Sequence, residues 1–123
     1  MKRIILALAI LTAGTAYGQS APVVIGNGAY LLQACQIQAR VDSGTQTNGT
    51  ANDFIAAGYC MGMVKGVRDV AAWTNSASVP LSITNREVAA VVVKFLLANP
   101  QRLGEADTTL TLAALKQTYG DAR

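Results

Sequence analysis

The sequence predicts an all-α fold, a bundle of about four helices stapled by one disulfide, and three observations carry that expectation. Apolar residues recur at helical spacing in several segments separated by Gly, Ser, Asn and Pro. Two helix starts carry capping signatures, Thr50 with Asp53 and Thr84 with Glu87. The chain holds two cysteines, Cys35 and Cys60, and each falls on the apolar side of its predicted helix.

Met1 to Gly18 reads as a secretory signal peptide. Lys2 and Arg3 form its charged region, Ile4 to Leu11 its apolar region, and Ala16-Tyr17-Gly18 supplies the small residues that place the cut before Gln19. No cysteine follows the apolar run where a lipid anchor would need one. The expected mature part, residues 19 to 123, has the length of one small domain located in the periplasm. Lys2 and Arg3 are two of the ten basic residues behind the net charge of +3, so the mature part is close to neutral. Without a run of Lys and Arg it offers no footprint for nucleic acid, and no membrane contact is expected once the signal segment is removed.

The first helix is predicted from about Gly28 to Arg40, with Ala29, Leu32, Cys35 and Ile37 to Ala39 as apolar positions and Gly26-Asn27-Gly28 as a flexible lead-in. Asp42 to Asn52, rich in Gly, Thr, Ser and Asn, reads as a surface loop. The central helix covers Phe54 to Asp69 and continues to Trp73. At about 100° per residue, Ala56, Tyr59, Cys60, Met63, Val64, Val67, Val70 and Ala71 share one side of it. Gly58, Gly62 and Gly66 share the other. Glycine inside a helix costs about 1 kcal/mol against alanine, so close approach of a neighbour is expected to offset the three, either a helix of the same chain or a second subunit. Lys65, Arg68 and Asp69 interrupt this segment, and its uncharged part is too short to cross a bilayer.

Thr74 to Ser82, with Pro80, reads as an irregular connection. The valine-rich run after Thr84 has strand propensity, yet the capping box and the Asn99-Pro100 stop favour a helix. Its face Val88, Val91, Val92, Phe95 and Leu96, with Ala89, Val93 and Leu97 opposite, predicts burial on two sides. Pro100 is expected to open a short turn with Asn99 as its cap. A last helix from about Ala106 to Tyr119 packs Leu112, Leu115 and Tyr119, and Gly120 ends it. Thr-Leu-Thr-Leu at 109 to 112 would suit a strand, but no partner strand is evident.

An even cysteine count in an exported chain reads as a Cys35–Cys60 disulfide. Catalytic chemistry finds little to work with. The chain has no histidine, which excludes Ser-His and Cys-His arrangements, and its seven acidic residues are scattered among loops, caps and helix surfaces. No phosphate loop and no metal-ligand spacing is present, so no cofactor or metal and no enzymatic activity are expected.

Cys35 in a first helix, the centre Phe54-x-x-x-Gly58-Tyr59-Cys60-x-Gly62-x-Val64-x-Gly66-x-x-Asp69, Val79-Pro80, the Thr84-capped helix ending Phe95-Leu96-x-x-Asn99-Pro100, and Tyr119 together form a recognisable pattern. Over roughly Gly28 to Tyr119 it resembles the resistance-associated immunity proteins of type VI secretion amidase effectors, with Gly120 departing from the proline found there. The resemblance implies a periplasmic, all-helical, disulfide-bonded homodimer that binds a cell-wall amidase effector and blocks its cleft. Two readings from other classes compete with it: a small periplasmic chaperone of the acid-stress type, and a structural envelope protein without inhibitory role. Seven carboxylates and no histidine make a poor acid switch, which weighs against the chaperone. An inhibitor acting by shape would present a loop, either Asp42 to Asn52 or Trp73 to Ser82. The second is favoured, with Trp73, Asn75, Val79 and Pro80 as its partner-binding residues; the competing reading places Trp73, the only tryptophan, in the core.

Overall fold

A computed structural model describes residues 21–45 and 48–121. The signal segment Met1 to Gly18, the cut before Gln19, and Gln46 and Thr47 of the first loop lie outside the described residues. Four helices follow in order: α1 (Gly28–Asp42), α2 (Ala51–Trp73), α3 (Asn85–Ala98) and α4 (Asp107–Tyr119), with a 3-10 turn at Pro100–Arg102 between the last two. The fold is all-α, and the only pairing of extended backbone among the described residues is an isolated bridge between Asn27 and Ala106.

Both capping boxes form. Thr50 accepts from the Asp53 amide and Thr84 from the Glu87 amide, while each acid reaches back to its cap residue. The Thr84 N–H and hydroxyl hold the Glu87 carboxyl below the usual carboxylate range. Asn99 holds the cap position of the 3-10 turn as expected, its carbonyl accepting from the Arg102 amide at 2.9 Å, while its side-chain amide turns back to donate to the Phe95 carbonyl at 2.7 Å and closes α3.

The core is Leu31, Ala34, Cys35 and Ile37 from α1, Ala56, Cys60, Val64 and Ala71 from α2, Val88, Val92, Phe95 and Leu96 from α3, and Leu110, Ala114 and Leu115 from α4. Several apolar positions sit differently from the expectation. Leu31 rather than Leu32 is fully buried, because the disulfide fixes the rotation of α1 and the Leu31 and Cys35 positions lie one turn apart on its inner side. Val70 is exposed; on the second side of α3, Ala89 is buried, Val93 is half-buried against the core, and Leu97 is exposed at 57%. Leu110, within the run that would have suited a strand, is the deepest residue of the first turn of α4.

Gly26-Asn27-Gly28 is not a loose lead-in but a stitched corner. The Asn27 side chain caps α1 by accepting from the Tyr30 amide at 3.0 Å. Three backbone bonds then join this corner to the α3–α4 connection: Gly28 N–H to Glu105 O, Ala29 N–H to Leu103 O and Asp107 N–H to Gly26 O, each at 3.0 Å. A side chain ties the same corner to α2: the Tyr59 hydroxyl donates to buried Asp107 at the start of α4. Burial and that carboxylate together raise the Tyr59 pKa from 10.0 to about 12.

Cys35 and Cys60 are bridged, with Cα atoms 5.0 Å apart and both side chains buried. The bridge spans 25 residues of sequence. A loop of that length should contribute about 3.5 kcal/mol by constraining the unfolded chain. Thiol titration under denaturing conditions should find no reactive cysteine before reductant is added. Reduction should lower the melting temperature by on the order of 15 °C. Tyr59→Phe tests the second tie. A phenol with a raised folded-state pKa contributes stability that is complete below pH 10.0 and lost as pH rises to about 12. The wild type should therefore lose stability through that window, and the phenylalanine variant, weaker at neutral pH, should lose less there.

Candidate functional site: an exposed apolar surface at the end of the central helix

The glycines of α2 lie on its outward side and no element of the chain covers them. A Cβ built at Gly58, Gly62 or Gly66 meets nothing within 4 Å. The expectation of a neighbouring helix from the same chain therefore fails: α1, α3 and α4 all pack on the opposite side, where Cys60 directs α1. What remains is a bare strip running from Phe54 and Ile55 to Val70 and Trp73, all exposed. A groove runs beside its second half, with half-buried Tyr59, Met63 and Val67 and exposed Val70 along α2, Thr108 and Leu112 from α4, and Gly62 and Gly66 giving it breadth.

The strip ends in the loop between α2 and α3. Trp73 is not a core residue; it stands 86% exposed at the last position of α2. Asn75 has φ 52°, the left-handed conformation that asparagine tolerates better than most residues. It stops the helix: the Ser76 amide bonds to Ala71 O at 2.8 Å and the Asn75 amide to Ala72 O at 3.3 Å, the paired bonds of a Schellman ending. Ala77 is then buried, Val79 and Ile83 pack partly into the core, and Pro80 remains exposed. Of the four residues expected to face a partner, Trp73 and Pro80 project outward, Asn75 shapes the turn, and Val79 anchors it from inside.

Two residues important to this surface were not anticipated. Leu81 is 97% exposed, the most exposed large apolar side chain of the described residues. Arg68 braces the loop from α2, donating Nη1–H to Asn85 Oδ1 at 3.1 Å and Nη2–H to Pro80 O at 2.9 Å. A leucine between Pro80 and Ser82, in a segment that must return to the core at Ile83, was the available signal. Nothing in the sequence marked Arg68.

A second hollow lies between α1 and α3, lined by Gln36, Gln38, Asp42, Arg86 and Ala89. The Arg86–Asp42 ion pair at 2.7 Å occupies it. Among the described residues no group of three or more His, Cys, Asp and Glu is placed to hold a metal ion, and no helix is long and apolar enough to cross a membrane.

In comparison with known proteins, the family described as Rap1a immunity proteins matches residues 27–120. No curated protein and no solved structure matches the chain.

Two glycines test this geometry with opposite signs. Gly62→Ala adds a methyl into open space and removes a poor helix former, so urea unfolding should show a gain of about 0.5–1 kcal/mol. Gly28→Ala places its Cβ 2.3 Å from Leu110 Cδ1 and 3.2 Å from the Leu103 backbone, and should lose about 1–3 kcal/mol. A stability loss in Gly62→Ala would mean that something covers the glycine strip in solution.

Proposed function

The chain belongs to the Rap1a immunity protein family, and from that premise we propose that it is exported to the periplasm, where it binds and inhibits a peptidoglycan amidase effector of a type VI secretion system. The observation that carries this reading is the apolar, ordered surface formed by the end of α2 and the loop after it. Trp73, Pro80 and Leu81 stand out from backbone that hydrogen bonds fix in place. Exposed large apolar side chains on a rigid loop lower a folded protein's solubility and gain nothing for its core, whereas at an interface they are the residues that contribute most to binding. Inhibition then needs no chemistry from this chain. A rigid loop that occupies the effector's cleft keeps the cell-wall peptide out, and its order before binding reduces the entropy lost on association.

The same reading includes a homodimer. The bare strip of α2 around Gly58, Gly62 and Gly66 allows backbone approach closer than longer side chains would permit. Sedimentation velocity on the purified chain measures that directly.

Co-expression with a type VI amidase effector directed to the periplasm should rescue growth of a sensitive host. Trp73→Ala should fold as the wild type does and rescue less, with affinity for the amidase lowered by about 10- to 100-fold. Failure of the purified wild-type protein to bind or slow the amidase would turn the reading towards a chaperone or a structural envelope protein.

A further inference from the structure

From Val70 to Asn85 the chain carries no charged residue, although charged side chains flank it at Arg68, Asp69, Arg86 and Glu87. This stretch is also the one that projects its apolar side chains furthest, Trp73 at 86% and Leu81 at 97% exposure. An ordinary exposed loop of this length would carry charge, because solvation favours it. The backbone of this one is held from several sides. The Schellman ending fixes its start, and the Ser78 amide bonds to Gly120 O at 3.3 Å at the end of α4. The Ile83 amide bonds to Pro80 O at 3.2 Å, and the Thr84 box fixes its exit. Between these points the Pro80 carbonyl accepts a second hydrogen bond, from Arg68 Nη2–H at 2.9 Å, which ties the turn to α2.

Resting on the inhibitor reading above, we infer that Leu81 is the anchor of the partner contact, that the surface receiving it is an apolar cleft without charged groups, and that Arg68 is the positioning residue that holds Leu81 in place. Arg68 suits this role for a geometric reason. Its planar guanidinium spans two acceptors on different elements, the Pro80 carbonyl and the Asn85 side chain, which a lysine ammonium on its flexible stem cannot do with the same rigidity. It also stays behind the loop, so the binding tip itself remains uncharged. A cleft that carried charge would have to give up its solvation against Leu81 and Pro80 with no partner in return.

The test uses a purified type VI amidase effector from the chromosome that carries this chain, with binding measured by a surface biosensor. Leu81→Ser should weaken binding by about 30-fold or more, whereas Leu97→Ser, an exposed leucine on α3, should stay within about threefold. The wild-type affinity should change less than about threefold between roughly 50 and 500 mM NaCl, because no ion pair forms at the tip. Arg68→Met should weaken binding by about tenfold with little change in melting temperature, and Arg68→Lys should restore part of it. The readout that a purely structural role would not move is local: hydrogen exchange of the Ile83 amide should accelerate by about tenfold in Arg68→Met while core amides such as Val64 keep their rates. Wild-type capture of the amidase with equal affinity for Leu81→Ser overturns the anchor and leaves the inhibitor reading standing. A steep salt dependence overturns the uncharged cleft, and unchanged Ile83 exchange in Arg68→Met overturns the brace. No capture by the wild type removes both the inhibitor reading and this inference.

Discussion

The Cys35–Cys60 bridge is the constraint to which the rest of the structure answers. Packed helices usually keep their axes about 8–10 Å apart, with Cα atoms about 2.3 Å from each axis, and the 5.0 Å between the bridged Cα atoms fits that spacing with the two cysteines pointing at each other. Ala34 on α1 and Ala56 and Ala57 on α2 are buried near the bridge. With α1 and α2 fixed, α3 and α4 add Val88, Val92 and Leu96 from one and Leu110 and Leu115 from the other. Large buried side chains come from all four helices, with Leu31 of α1 and Val64 of α2 each one turn from a bridged cysteine.

The staple has a consequence for α2. One side of it is fully used by the staple and the core, and the opposite side receives nothing from the chain. That helix is the longest in the molecule and carries three exposed glycines together with exposed Phe54, Ile55, Val70 and Trp73. Neither feature favours a lone monomer in water: the glycines reduce helix stability and the apolar side chains reduce solubility. In an immunity protein family, whose members act by contact with another protein, a surface kept bare in this way is consistent with recognition carried by shape.

The helices were legible because their punctuation is chemical and local. Thr50 with Asp53, Thr84 with Glu87, Pro100 and Gly120 each act within one turn of the chain, and all four mark boundaries where the structure has them. The disulfide was legible because two cysteines allow one pairing, and the expected export favours its oxidised form. Rotation of the helices was harder to read. Leu31 and Leu32 are equivalent to a periodicity argument, and only the crossing of α1 over α2 decides between them. The glycine strip reads as a surface for a helix of the same chain or for a second subunit, and the first alternative fails for a physical reason: small residues permit a neighbour without supplying one. Arg68 could not be found at all, since its acceptors, a carbonyl at Pro80 and an amide at Asn85, come into reach only after the loop has folded back.

The stitched corner around Gly28 also bears on the order in which the molecule assembles. A chain emerging from its N-terminus can form α1 and α2 and close the Cys35–Cys60 loop from its first half alone. The opening amides of α1 at Gly28 and Ala29, however, bond to carbonyls at Glu105 and Leu103, and the space beside Gly28 is filled by Leu110. These partners belong to the second half of the chain. A hairpin of α1 and α2 alone would leave this N-terminal corner open to water, and the same few bonds that complete the first helix tie it to the connection between α3 and α4.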